Sequence, residues 1–136
     1  MSMPSIVYDQ VSGAYRAGAC NIGPDEIARR RSFGRAGLAV SGLIALALLG
    51  VGAPPVARLL VALPVAGSAI SLIQARLRFC AAFGFAGLRN FGPLGGEEHI
   101  VEAVARRADR DMALRVVAAG SLAGLAAGIA LALIPR

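Results

Sequence analysis

Residues 36–57 read AGLAVSGLIALALLGVGAPPVA, a stretch of 22 residues without a charge between Arg35 and Arg58. Two further uncharged stretches follow, of 17 residues after Arg58 and of 20 residues after Arg115. A helix needs about 20 apolar residues to cross the hydrocarbon core of a bilayer. The pattern therefore predicts three transmembrane helices, over residues 33–51, 55–75 and 113–134.

The break between the first two spans is GVGAPP, residues 50–55. Proline cannot continue a helix and glycine is common where one ends, so this break predicts a tight hairpin turn. The sequence GPDE at residues 23–26 predicts the start of the first helix, because proline suits the first turn and acids favour the positive end of the helix dipole. Pro64 predicts a kink in the second helix, and we expect Arg58 to extend outward to the interface.

The segment between the second and third spans has a different character. Residues 79–94, FCAAFGFAGLRNFGPL, are aromatic, rich in glycine and too short to span, as is typical of an interfacial or re-entrant segment. Gly95 and Gly96 are expected to open a new helix that carries Glu97, Glu98 and Glu102 in its first turns. The predicted fold is all-α: a polytopic membrane protein with an N-terminal hairpin, a cytoplasmic amphipathic connecting segment and a C-terminal span. Its expected organisation is a cytoplasmic tail, 1–22, and a single helical membrane domain, 23–136.

Composition and charge favour a membrane location. Hydrophobic residues make up 57% of the chain and charged residues 16%, against roughly 45–50% and 25% in soluble domains. All 14 basic residues are arginine; with the N-terminus in the cytoplasm, 12 of them lie on the cytoplasmic side, as positively charged loops prefer. We therefore expect a multi-pass protein of the bacterial inner (cytoplasmic) membrane. Nucleic-acid binding is not expected, because the arginines lie at the ends of apolar runs and not beside stacking aromatic residues.

One family resemblance emerges over residues 20–88. Asn21-Ile22-Gly23, followed by acids, arginines and a glycine-rich span, resembles the start of the small YgaP-like inner-membrane domain. That domain is a two-helix hairpin that is sometimes fused to a rhodanese. Its second span typically ends in a glycine-aromatic-cysteine element, and Arg78-Phe79-Cys80 holds the corresponding place here. The resemblance implies the hairpin, the cytoplasmic N-terminus and sulfur chemistry near the cytoplasmic face.

Cys20 and Cys80 form a candidate thiol pair. Cys20 precedes the first helix and Cys80 follows the second, so in a helical hairpin both are expected on the cytoplasmic side. Neighbouring arginines and a helix N-terminus lower thiol pKa values, which favours a redox or sulfur-relay role. The simpler interpretation is two unrelated small residues that pack as modest hydrophobes.

No catalytic, metal or cofactor site is predicted. Zinc requires four ligands, whereas the chain has two cysteines and one histidine, His99. If residues 97–102 are helical, His99 and Glu102 share a face, but a di-iron bundle needs a second copy of such a motif. A solvated acidic first turn explains these residues without a metal.

Two sets of residues are candidate contact surfaces. One is a group of arginines expected to meet lipid headgroups or a partner. It consists of Arg29, Arg30, Arg31, Arg76, Arg78, Arg106, Arg107 and Arg110. The other is Gly120, Gly124 and Gly128, which recur every four residues along one face of the third helix and favour close helix packing in lipid.

These features lead to three functional hypotheses. The first is a non-enzymatic accessory or scaffolding subunit that packs in the bilayer against itself or a larger membrane complex. The alternative is a thiol-dependent redox or sulfur-relay protein that uses Cys20 and Cys80. The third is a regulator at the membrane surface that acts through the cytoplasmic arginines.

Overall fold

The computed structural model describes residues 15–135; residues 1–14 of the predicted tail and Arg136 lie outside the described residues. Helices account for 71% of the structure, and three helical segments are long and apolar enough to cross a membrane. In chain order, the elements are α1 (Pro24–Gly50), α2 (Pro55–Arg58), a 3₁₀ turn (Leu59–Val61), α3 (Ala62–Leu77), α4 (Ala81–Ala86), β1 (Leu88–Arg89), β2 (Glu98–His99) and α5 (Ala103–Ala132). The three apolar segments are α1, Pro55–Leu77 and α5.

The described chain divides into two compact units, and the helices α1, α3 and α5 each contribute residues to both. Unit 1 consists of residues 15–29 and 74–115. Unit 2 consists of residues 30–73 and 116–135. Residues 15–22, which the sequence assigned to a tail, are folded into unit 1.

Proline sets the limits of the helices in the hairpin. α1 begins at Pro24, as predicted, and ends at Gly50, where Gly52 turns the chain with φ +67°. The second apolar segment begins at Pro55 and is interrupted by the 3₁₀ turn Leu59–Val61. Pro64 has no N–H to donate to the carbonyl four residues earlier, so the regular α-helical pattern fails one turn before it.

The connecting segment differs from the prediction in two ways. β1 pairs antiparallel with β2, with Leu88 opposite His99 and Arg89 opposite Glu98, so the fold is not purely α-helical. α5 begins at Ala103 and not at Gly95, because Gly95 has φ +90° and the residues after it are extended. Opposite charges across the strand pair add to its stability: Arg89 and Glu98 lie 3.4 Å apart.

Unit 1 has an apolar core. Ile22, Cys80 and Phe83 form a buried cluster, with Ile27 and Leu88 packed against it. The sequence predicted residues 79–94 to be interfacial or re-entrant. In the structure Phe79, Cys80 and Phe83 of this segment are buried, and α4 turns Phe83 inward. The place of the segment relative to a membrane stays a prediction.

Unit 2 shows the opposite distribution. Most of its buried positions are glycine, serine or arginine: Arg30, Gly34, Ser41, Arg58, Ser68, Gly120, Gly124 and Gly128. Large apolar side chains point outward, including Leu43 (68% exposed), Leu63 and Leu122. The two serines satisfy their hydroxyls within their own helices: Ser41 Oγ donates to the Gly37 carbonyl and Ser68 Oγ to the Pro64 carbonyl, both at 2.7 Å.

Candidate functional site

The two cysteines both belong to unit 1 and are not joined by a disulfide. Cys80 is 1% exposed and lies in the apolar cluster with Ile22 and Phe83. Cys20 is partly exposed, and its Sγ lies 4.0 Å from the carbonyl oxygen of Ile22. A reactive thiol needs access to its substrate, whereas a buried thiol is usually inert. The environment of Cys80 is therefore that of a packing residue.

Asn21 ties the segment before α1 to the chain around Cys80. Its Nδ2 donates to the Cys80 carbonyl at 3.1 Å, and its Oδ1 accepts from the Cys80 N–H at 2.7 Å. The backbone of Asn21 also donates to the Arg78 carbonyl and accepts from the Asn90 N–H. Asn21 is fully buried, so all of these bonds replace water. In the sequence Asn21 is notable only as part of the resemblance to the YgaP-like domain, and no local pattern predicts this role.

Asp109 is a second buried polar anchor in unit 1. Its Oδ2 accepts a hydrogen bond from the Tyr15 hydroxyl at 2.7 Å, and its Oδ1 accepts one from the Gly18 N–H at 2.6 Å. The Tyr15 ring also lies beneath the guanidinium of Arg89, 5.3 Å from its centre. Burial, with the hydrogen bond to Asp109, raises the pKa of Tyr15 above its ordinary value. The carboxylate thus fastens residues 15–18 to α5.

The end of α3 is an unusual helix cap. Phe79 N–H donates to the Gln74 carbonyl at 3.0 Å, which is the bond that defines a Schellman motif. The residue in the left-handed position of this motif is usually glycine, but here it is Arg78, with φ +58°. For an L-residue other than glycine, the left-handed conformation costs about 1–2 kcal/mol relative to the right-handed one. The side chains of Arg78 and of Arg76, in the last helical turn, are exposed.

The other predicted contact arginines fall into two groups. In unit 1, Arg29 pairs with Glu26 at 3.4 Å, and Arg106 donates to the carbonyls of Ile100 and Val101, so both support the fold. Arg30, in unit 2, is also buried. Arg29 is exposed despite its pairing, and the other exposed members are Arg31 in unit 2 and, in unit 1, Arg76, Arg78, Arg107 and Arg110.

The three glycines of α5 lie on one buried face within unit 2. A Cβ atom at Gly120 would lie 3.0 Å from the Ile70 nitrogen, and one at Gly124 would lie 2.7 Å from the Ala66 nitrogen. At Gly128 the nearest backbone atom would be the Leu59 oxygen, at 3.1 Å. The second apolar segment therefore approaches α5 so closely that even a methyl group has no room.

The prediction that Arg58 extends outward to the interface is wrong. It is 1% exposed and turned inward, with Nε donating to the Ala53 carbonyl at 3.0 Å. Its Nη1 donates to the carbonyls of Ile134, at 2.6 Å, and Leu131, at 3.4 Å. Leu131 lies in the last turn of α5 and Ile134 follows the helix. At this end the negative pole of the helix dipole attracts a cation. The inward hydrogen bonds explain why Arg58 is buried.

The residues around His99 do not share a helical face. His99 and Glu98 are exposed and extended in β2, so the geometry considered for residues 97–102 does not arise. Within residues 15–135, no group of three His, Cys, Asp or Glu side chains is arranged to hold a metal ion.

Comparisons with protein-family models, curated protein sequences and solved structures find no significant match to this chain. The resemblance to the YgaP-like domain therefore stays a prediction.

Proposed function

We propose that this chain is a multi-pass protein of the bacterial inner membrane that serves as a non-enzymatic accessory or scaffolding subunit. The observation that carries the proposal is the reversed burial in unit 2, where glycine, serine and arginine make up most of the buried positions and most leucines are exposed. A soluble protein rarely exposes so much contiguous apolar surface. In a bilayer the outward leucines meet lipid, and helices associate through small residues such as Gly120, Gly124 and Gly128.

The buried polar groups of unit 1 support a structural role. Three of them, Asn21, Gln74 and Asp109, accept hydrogen bonds from backbone N–H groups. Gln74 Oε1 accepts from the Ala81 N–H at 2.7 Å. Asn21 accepts from the Cys80 N–H, and Asp109 accepts from the Gly18 N–H. Groups engaged in this way hold loops and helix ends in place. The burial of Cys80 weighs against the alternative thiol relay, because a substrate cannot reach its sulfur without local unfolding.

The uncovered surface of α1 favours a partner within the membrane. Only 11% of its most apolar stretch is buried within the chain, against 28% for α5. α1 therefore has the larger face free for a second copy of the chain or another membrane protein. The 12 arginines on one side of the spans support a cytoplasmic N-terminus.

Photocrosslinking in intact cells tests the proposal. A photoreactive residue at Leu43, on the outer face of α1, is expected to give one protein adduct of fixed mass. The same residue at Leu122, an equally exposed leucine on α5, is the matched control and is expected to give mainly lipid adducts.

The outcomes separate the parts of the proposal. If Leu43 gives only lipid adducts, the accessory role is wrong and the membrane location stands. If the chain is recovered in the soluble fraction after cell lysis, the membrane location is wrong as well. Rapid labelling of Cys80 in the native protein, together with a Cys20–Cys80 crosslink on mild oxidation, would favour the thiol relay.

A further inference from the structure

Two helices end within unit 1 at a residue in the left-handed conformation, and the amino acid at that position differs between them. α4 ends with Gly87, φ +73°, whereas α3 ends with Arg78, φ +58°. Glycine adopts this conformation without steric penalty, but arginine does not. A non-glycine residue held in a disfavoured conformation is a reason to look for a functional contact.

The turn itself does not use the arginine side chain. Its backbone bonds are Phe79 N–H to the Gln74 carbonyl and the N–H groups of Asn21 and Ile22 to the Arg78 carbonyl. Glycine at this position would form the same bonds. The special feature of Arg78 is therefore its side chain.

The guanidinium groups of Arg76 and Arg78 are available for an outside ligand. Both side chains are exposed, and among residues 15–135 neither forms a hydrogen bond or an ion pair. Other arginines of unit 1 are engaged, such as Arg89 with Glu98 and Arg106 with backbone carbonyls. The sequence also has no acidic residue between Glu26 and Glu97, so no carboxylate adjoins the pair along the chain.

We propose that Arg76 and Arg78 bind the phosphate of an anionic phospholipid headgroup at the end of the second apolar helix. This inference rests on the proposed membrane location. Leu77, between the two arginines, is 41% exposed, so an apolar side chain lies beside two cations where an apolar helix ends. That combination matches the boundary between acyl chains and headgroups, and arginine binds phosphate through two parallel N–H···O bonds.

The test measures unfolding temperatures of the full chain in nanodiscs of phosphatidylcholine alone and of phosphatidylcholine with one-fifth phosphatidylglycerol. The wild type is expected to unfold several degrees higher in the anionic discs. Arg78→Asn is expected to lose most of this shift, because asparagine tolerates the left-handed conformation but carries no charge. Arg78→Gly is expected to lose the shift and to unfold at a higher temperature than the wild type in the neutral discs, since glycine relieves the strain.

Arg16→Gln is the matched control, because Arg16 is also exposed in unit 1 but precedes α1 and is outside the predicted set of headgroup contacts. It is expected to keep the shift. If Arg78→Asn does not fold, Arg76→Gln, on the exposed last turn of α3, takes its place and is expected to lose the shift.

Several results would overturn the inference. These are no shift in the wild type, a shift that survives Arg78→Asn or its Arg76→Gln replacement, and an equal loss in Arg16→Gln. An equal shift from inorganic phosphate in neutral discs would mean that free phosphate, and not lipid, is the ligand. A chain that remains soluble without nanodiscs would contradict the membrane location instead.

Discussion

The two units of this chain differ in where their large apolar side chains lie. Unit 1 encloses Ile22, Phe79 and Phe83, as a small water-soluble domain does. Unit 2 encloses glycine, serine and Arg58 and presents its leucines outward. Apolar burial drives folding in water, but in lipid the outside is already apolar, and close contact between backbones becomes the main attraction. This contrast is the one expected if, as proposed, unit 2 meets lipid and unit 1 meets water.

Their buried charges differ in the same way. In unit 1 the buried carboxylate of Asp109 accepts hydrogen bonds from Tyr15 and Gly18, and Glu26 pairs with Arg29. Unit 2 contains no acidic residue, and its buried Arg58 is bound by backbone carbonyls alone. A buried group must be satisfied in either solvent, but in unit 2 a helix end takes the place of a counter-ion.

The largest expected effect follows from the glycine face in unit 2. Gly124→Leu is predicted to lower the free energy of unfolding by about 3 kcal/mol, because a side chain there meets the backbone of Ala66 and must push the helices apart. Unfolding titrations in mixed detergent micelles measure this. The control is Leu122→Ala, two residues away and 66% exposed, for which we expect a change of about 0.5 kcal/mol or less. Equal effects would mean that the glycine spacing has no role in packing.

The next effect concerns Arg58. Arg58→Met keeps the length of the side chain but removes its hydrogen bonds to the carbonyls of Ala53, Leu131 and Ile134, of which Leu131 still accepts from the Ile134 N–H. We expect a loss of about 2 kcal/mol in the free energy of unfolding. Arg35→Met, at an exposed position in the same unit, serves as the control. A neutral or stabilising Arg58→Met would show that burying this cation costs more than its hydrogen bonds return.

The smallest effect is expected in unit 1, at Tyr15. Tyr15→Phe removes the hydrogen bond to Asp109 and is predicted to lower the free energy of unfolding by about 1 kcal/mol. Because the folded pKa of Tyr15 is raised, the unfolded chain loses its proton first, at a pH of about 10. The contribution of Tyr15 to the free energy of unfolding is therefore fully present below that pH and falls as the pH rises above it. Thermal melts across this range should show a weaker decline in Tyr15→Phe; an identical decline in both proteins would contradict the assignment.

The features that could be predicted from the sequence are those that depend on residues close together along the chain. The start of α1 at Pro24 and the turn at residues 50–55 follow from the chemistry of proline and glycine at helix ends. The four-residue spacing of the glycines indicates which face of α5 is small, although not which helix covers it. The strand pair was missed because each strand has only two residues, too few to show an alternating pattern.

Contacts between distant parts of the chain could not be predicted in this way. Arg58 turns inward because the end of α5, 73–76 residues later, supplies its carbonyls. Asp109 and Tyr15 are 94 residues apart, and Asn21 and Cys80 are 59 apart. The left-handed Arg78 carries no local signal either, since the usual sign of such a cap is a glycine. Each of these features depends on tertiary structure.

The most direct test of the central claim measures which solvent each unit meets. The experiment uses a variant without native cysteines, Cys20→Ser with Cys80→Ala. Spin labels are attached to it one at a time, at Leu43→Cys or Leu122→Cys on the outer face of unit 2, or at Arg107→Cys in unit 1. In reconstituted vesicles, the account predicts that the two unit 2 labels collide mainly with oxygen, which concentrates in lipid. The unit 1 label should collide mainly with a water-soluble nickel chelate. If the labels at Leu43 and Leu122 meet the nickel chelate as often as the label at Arg107, unit 2 does not lie in the bilayer.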